Sequence, residues 1–176
     1  MGNQSTPRPR AVLIGTMGAG KTTVGQLLAA RWGVGFRDTD HDVEAAAGKP
    51  VSDIFVEDGE AAFRALERDA VAAALISHDG VLALGGGAVL DKSTRALLAD
   101  HTVVFLEVGL SDAAARVGLG VSRPLLLGNV RAKVKQLLDE RTPIYESVAT
   151  VRIPTDGRSA EQVAEAVLAA LEASDG

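Results

Sequence analysis

Short runs of consecutive apolar residues alternate along this chain with longer segments whose apolar positions recur every three or four residues. The runs at 11–14 (Ala-Val-Leu-Ile), 81–84 (Val-Leu-Ala-Leu) and 102–106 (Thr-Val-Val-Phe-Leu) lack polar alternation and read as strands buried on both faces. Residues 34–37 and 150–153 read as two further short strands. Between the strands, helical periodicity predicts helices over 22–32, with Val24, Leu27, Leu28 and Trp32 on one side, and over 60–77, with Phe63, Leu66, Ala70 and Ala74 on one side. A closing helix is predicted over 159–173. Shorter helical segments are expected at 40–47, 52–55, 91–99 and 111–117, and residues 130–146 read as helical up to an interruption at Pro143. Five short apolar strands separated by helices predict a mainly parallel sheet with helices on both faces. Ligands of such sheets sit outside the carboxyl ends of the strands. A single domain over 11–173 is expected, preceded by a disordered tail at 1–10 that holds polar residues and two prolines.

A chain of 176 residues is long enough for one domain with a substantial core. With 47% apolar but only 3% aromatic residues, that core has to be aliphatic. The absence of cysteine removes disulfides, zinc–thiolate sites and a thiol nucleophile. The three histidines, His41, His78 and His101, are scattered and form no ligand cluster. A formal net charge of −5 argues against a nucleic-acid-binding surface. No apolar run approaches the ~20 residues of a membrane span, so no membrane partner is expected and a cytoplasmic location is the expectation.

Residues 15–23, Gly-Thr-Met-Gly-Ala-Gly-Lys-Thr-Thr, fit the phosphate-loop pattern G-x-x-x-x-G-K-[ST] and lie between a predicted strand and a predicted helix. The glycines allow the backbone to turn its N–H groups toward one anion, and the helix N-terminus adds positive potential there. Gly18, Ala19, Gly20, Lys21, Thr22 and Thr23 are therefore the candidate residues for binding a nucleoside triphosphate, with Lys21 on the terminal phosphates and the Thr22 hydroxyl on Mg²⁺.

After the second strand comes Asp38-Thr39-Asp40. If the chain is still extended there, the two carboxylates face the same side. Their repulsion would be relieved by a Mg²⁺ held through water by one of them, leaving the other to orient a hydroxyl and accept its proton. Asp40 is equally placed to cap the following helix. Gly85-Gly86-Gly87 follows the third strand, where many ATPases carry an acidic residue for Mg²⁺. Three consecutive glycines suggest that something approaches the backbone closely. Mechanochemical ATPases and GTPases are thereby disfavoured. Arg123 lies in a glycine-bordered stretch at about 118–131 that reads as a mobile lid or equally as a solvated surface loop, with Arg116 just before it. Arg64 has Glu60 and Glu67 at helical spacing, which reads equally as surface ion pairs, and periodicity does not prefer Arg64 over Arg68.

Together, residues 15–23, Asp38-x-Asp40, Phe63-Arg64, Gly85-Gly86-Gly87, Arg123-Pro124-Leu125-Leu126 and Arg141-x-Pro143-x-Tyr145 resemble the shikimate kinase family in order and spacing, over about residues 10–172. The resemblance implies a three-layer α/β/α fold of the P-loop nucleoside monophosphate kinase-like type with a five-stranded parallel sheet and a lid. It implies ATP-dependent phosphorylation of the 3-hydroxyl of shikimate, with Mg²⁺ as cofactor and a monomeric protein. Asp40, Lys21 and Arg123 would be catalytic. Asp40, Arg64, Gly85, Gly86, Gly87 and Arg141 would bind the acceptor, with Arg64 and Arg141 as a clamp on its carboxylate and Glu67 fixing Arg64. Thr22 and Asp38 would serve the metal, and Arg116, Arg123 and Arg158 would join the ATP site. Another small-molecule kinase of this fold, such as a gluconate or nucleoside monophosphate kinase, is the alternative enzyme. An inactive ATP-binding switch is the alternative from another class, and it should lack a coherent acceptor site.

Overall fold

A computed structural model of the chain describes residues 7–16, 18–109 and 127–175. Five parallel strands form its sheet: β1 (Ala11–Ile14), β2 (Phe36–Asp38), β3 (Val81–Ala83), β4 (Val103–Glu107) and β5 (Val151–Pro154), in the spatial order β2-β3-β1-β4-β5. The helices are α1 (Lys21–Trp32), α2 (Thr39–Ala47), α3 (Val51–Asp58), α4 (Glu60–Ser77), α5 (Lys92–Leu98), α6 (Leu127–Val148) and α7 (Ala160–Asp175), with a 3₁₀ turn at Ala88–Leu90. The expected parallel sheet with two helical layers is what forms.

Alternation along the strands assigns the two layers. Ala11 and Leu13 of β1 join Ala83, Val104 and Leu106 under α1 and α7, with Val24, Leu28, Val163 and Val167 filling that side. Val12 and Ile14 point the other way, toward Val71, Ala74 and Leu75 of α4, Leu98 of α5 and Tyr145 of α6. All four β1 residues are buried on both faces, which explains the uninterrupted apolar run. Each fully buried aliphatic side chain contributes roughly 1.5–3 kcal/mol of transfer free energy. A smaller cluster of Val43, Ile54 and Phe63 ties α2 and α3 onto α4. It fixes the outlying helical pair beside the carboxyl end of β2.

Several expected boundaries move. The second strand begins at Phe36, because the Gly35 carbonyl is already taken by the Val81 N–H at 2.9 Å and the ladder runs on from there. The short turn expected at 52–55 is a full helix, α3, with Pro50 at its N-cap and Ile54 buried against the neighbouring helices. The helix carrying Pro143 is not interrupted there. α6 runs through the proline to Val148, because Tyr145 and its neighbours Ile144 and Val148 are packed in the core beyond it. The missing Pro143 N–H leaves one helical hydrogen bond unmade, a loss that packing offsets.

The tail expectation also narrows. Pro9 is buried, the Arg10 N–H donates to the Gly80 carbonyl at 2.8 Å, and the Arg10 guanidinium lies 4.5 Å from the centre of the Trp32 ring. Residues 1–6 lie outside the described residues, as do the expected helix at 111–117 and the lid through residue 126. Residues 127–131 of the expected lid form the start of α6. Among the described residues, no helix is long and apolar enough to cross a membrane.

Candidate active site

β1 and β3 are hydrogen-bonded neighbours, yet the chain leaves them toward opposite faces, into α1 on one side and into the 3₁₀ turn and α5 on the other. This divergence opens a crevice at their carboxyl ends. Into it project the loop after β1, the glycine triplet after β3 and the start of α2 after β2.

The loop closes onto α1 through Gly20, which serves as N-cap with φ 92° and ψ 20°, a left-handed conformation that a side chain would strain. Lys21 is the first helical residue. Its ammonium donates to the carbonyls of Gly15 at 2.6 Å and Thr16 at 3.1 Å. Burial pulls its pKa down to about 8, against the opposing pull of the Asp40 and Asp38 carboxylates. Thr22 and Thr23 are exposed in the same first turn.

Asp38 and Asp40 converge on Lys21, but not as residues of one extended strand. Asp38 ends β2 and is the N-cap of α2, its carboxylate accepting from the Asp40 N–H at 2.9 Å. The capping role considered for Asp40 therefore belongs to Asp38, and Asp40 sits in the first helical turn with its carboxylate free of that duty. Burial raises the Asp40 pKa above the usual carboxylate value, the Asp38 charge raises it further, and Lys21 opposes both.

On α4, Arg64 donates to Glu67 at 2.8 Å and lies 3.6 Å from Glu60. The ion-pair reading of Arg64 holds, though not as a purely surface pair: Glu67 is buried, and Arg64 lines the same cavity as Lys21 and Asp40. Burial raises the Glu67 pKa, and the Arg64 hydrogen bond and charge pull it back. Arg68, which sequence periodicity does not separate from Arg64, points elsewhere and pairs with Asp91 at 3.2 Å.

The glycine triplet is where these groups meet. A Cβ at Gly85 would stand 2.6 Å from Asp40 Oδ1 and 2.9 Å from Glu67 Oε2, and one at Gly87 would stand 2.5–2.8 Å from the Arg64 guanidinium. What approaches this backbone is thus the protein's own charged side chains. The result is a cavity of about 450 Å³ lined by Lys21, Asp40, Arg64, Glu67, Gly85, Gly86, Gly87 and Arg141, with Glu60 at its edge. Residues from separate elements, picked out in the sequence by their chemistry or by the family resemblance, share one wall.

The same cavity has an apolar side that sequence patterning does not assign to a site: Val51, Phe55, Phe63 and Leu137. The Phe55 and Phe63 rings are 4.6 Å apart, and the Arg64 guanidinium lies 5.3 Å from the Phe63 centroid. Phe55 and Leu137 are among the exposed large hydrophobics, the one available signal that they face a ligand space rather than the core. Arg158 follows β5 and is exposed; it does not line this cavity. Its loop is anchored by Asp156, whose carboxylate accepts from the Gly109 N–H at 2.9 Å. Arg116 and Arg123 lie outside the described residues. Among the described residues, no cluster of three or more His, Cys, Asp or Glu side chains is arranged to hold a metal ion.

A phosphate loop at the switch point of a parallel sheet, opening onto a compact cavity rich in charge, defines a P-loop kinase of small molecules. A gluconokinase from Sinorhizobium meliloti 1021 shares this fold, with a TM-score of 0.56, 23% identity and coverage of 96% of this chain and 95% of that one. Within the class the chain belongs to the shikimate kinase family, whose family model matches residues 17–172. A shikimate kinase of Thermobifida fusca (strain YX) is 62% identical over 167 residues, 95% of this chain and 97% of the relative. The solved structure of a shikimate kinase from Acinetobacter baumannii in complex with shikimate matches with a TM-score of 0.86 at 34% identity, covering 96% of this chain and 95% of that one.

Proposed function

We propose that the protein transfers the γ-phosphoryl group of ATP to the 3-hydroxyl of shikimate, giving shikimate 3-phosphate and ADP, a step of aromatic amino-acid biosynthesis. The observation that carries this reading is the single cavity that places the phosphate-loop lysine, Lys21, beside Asp40, Arg64, the glycine triplet and Arg141. Shikimate is a carbocycle with one carboxylate and three hydroxyls. Its ring suits the apolar side formed by Phe55 and Phe63, its carboxylate suits the guanidinium forks of Arg64 and Arg141, and its hydroxyls suit Asp40 and the backbone N–H groups of the triplet.

In the proposed reaction the acceptor oxygen bonds to the γ-phosphorus as the bond from that phosphorus to the bridging oxygen breaks. Asp40 orients the hydroxyl and takes its proton. Lys21 balances charge on the transferring group, and Arg123 does the same from the lid segment. Phosphoryl transfer has a loose transition state, so positioning and charge neutralisation are the main tasks of the protein. Gly18, Ala19, Gly20, Thr22 and Thr23 hold the phosphates, with Arg116 and Arg158 toward the adenine.

For Mg²⁺, the residues present fit a hard cation. Thr22 is exposed at the α1 N-terminus, and the Asp38 carboxylate lies near enough to act on the same lysine as Asp40. Thr22 would hold the ion, with Asp38 acting through water. When bound, Mg²⁺ supplies positive charge to the β- and γ-phosphates. The protein is further proposed to act as a cytoplasmic monomer, with one complete site per chain.

A coupled ADP-release assay on shikimate, quinate, gluconate and nucleoside monophosphates tests the assignment. Turnover is expected on shikimate, and turnover on gluconate with none on shikimate would refute it. The gluconate alternative rests on likeness of fold alone.

The triplet gives a second test. Gly87→Ala puts a methyl group where the Arg64 guanidinium now lies. The guanidinium is the mobile end of a long side chain, so the methyl group can be accommodated, but displacing it also loosens the pair with the buried Glu67, and a fall in melting temperature is expected. Arg64 would leave its position at the carboxylate, and the KM for shikimate should rise about tenfold, the scale of one charge-assisted hydrogen bond. An unchanged KM would separate Arg64 from acceptor binding.

A further inference from the structure

Arg64 and Arg141 are held in different ways. Arg64 is paired with carboxylates, Glu67 at 2.8 Å and Glu60 at 3.6 Å, which offset its charge. Among the described residues Arg141 makes no ion pair. Its neighbour is Tyr145, the only tyrosine in the chain, with a side chain 1% exposed. The two residues are four apart on α6, so they stack one turn apart on the same face, and the tilt of helical side chains toward the N-terminus brings the Tyr145 ring under Arg141.

The Tyr145 hydroxyl has two polar neighbours. It donates to the carbonyl of Gly86, the central residue of the triplet, and it lies close enough to the Arg141 guanidinium for that charge to oppose the upward pull of burial on the phenol. The ring packs on Phe105 of β4 with centroids 5.0 Å apart, which fixes the hydroxyl against the floor of the site. Burial raises the phenol pKa, so the group remains a neutral donor. Packing alone would be satisfied by phenylalanine. A buried hydroxyl is favourable only with a partner in place, and both polar neighbours here belong to the acceptor cavity.

We propose that Tyr145 is the positioning residue of the acceptor site: its hydroxyl ties α6 to the glycine triplet and so holds the Arg141 guanidinium toward the carboxylate of the acceptor. The choice of a phenol has a physical consequence. A carboxylate in the same place would orient Arg141 but would also neutralise it. A neutral oxygen beside the cation leaves its charge for the substrate. Arg141 is then the clamp residue without an ion pair of its own, feeling the Glu67 carboxylate only through space, and Arg64 supplies geometry more than net charge.

This inference rests on the shikimate reading, so wild-type turnover on shikimate is measured first. Its absence would overturn that reading and this one together, before any variant is made. With turnover established, Tyr145→Phe keeps the ring and removes only the hydroxyl. The KM for shikimate should rise about tenfold, the scale of one hydrogen bond to a charged group, with kcat and the KM for ATP within about twofold of wild type. In the Arg141→Ala background the same substitution should change the shikimate KM by less than about twofold, because the group it acts through is gone. An unchanged shikimate KM in the single variant overturns the proposal. So does a tenfold rise that persists without Arg141. A parallel loss of thermal stability, ATP affinity and kcat would also overturn it, by marking Tyr145 as a packing residue only.

Discussion

Replacing Asp40 with asparagine is expected to lower kcat roughly 1,000-fold, the scale of a lost general base, while ATP still binds. The substitution is nearly isosteric, so it removes proton acceptance without removing bulk. The capping arrangement supports this expectation: Asp38 takes the helix N-terminus and Asp40 is left to line the cavity beside Lys21. Burial and the Asp38 charge lift its pKa, which makes it a stronger proton acceptor than an exposed carboxylate.

The same shift makes a stability prediction of defined sign. Because the folded-state pKa lies above the unfolded value of 3.8, the folded protein holds more protons than the unfolded chain between the two. Stability from this group therefore falls as pH rises through that interval. The neutral amide of Asp40→Asn carries no such cost, so the variant at pH 7 should melt no lower than wild type. Steady-state kinetics, ATP calorimetry and thermal melts check the three parts. Full activity would remove Asp40 as base and orienter, and a large fall in melting temperature would show that its charge supports the fold.

The sequence and the structure agree most closely where one local rule decides the outcome. Residues 11–14 and 81–83 are strands because an unbroken apolar run between helices has to be buried on both faces. The phosphate loop is legible because its pattern and its flanking elements are all local. Arg64 is visible as chemistry but not as geometry. Its spacing to Glu60 and Glu67 fits a surface ion pair as well as a site, and only the approach of α4 to the glycine triplet separates it from Arg68. Phe55 is hidden for the same reason, since its place in the cavity wall depends on how α3 packs on α4. At Pro143 a correct local rule is overridden: the proline weakens the helix, but burial of Tyr145 on its far side carries the helix onward.

Lys21→Met should reduce kcat roughly 100- to 1,000-fold, the range for losing one charge stabiliser in an enclosed site. The ammonium donates to the Gly15 and Thr16 carbonyls and feels the Asp38 and Asp40 carboxylates. Burial leaves it with a pKa of about 8. A triphosphate beside it would favour the charged form and raise that value. ATP binding above pH 8 must then take up a proton, so the wild-type Kd for ATP should rise with pH there, by at most about tenfold per unit, and be insensitive to this group below it. The methionine variant has nothing to titrate and should lack that rise. Calorimetry in two buffers of different ionisation enthalpy measures the proton uptake directly. Equal pH profiles for wild type and variant would separate Lys21 from the phosphates, whereas a rise confined to wild type identifies the buried ammonium as the group that ATP recharges on binding.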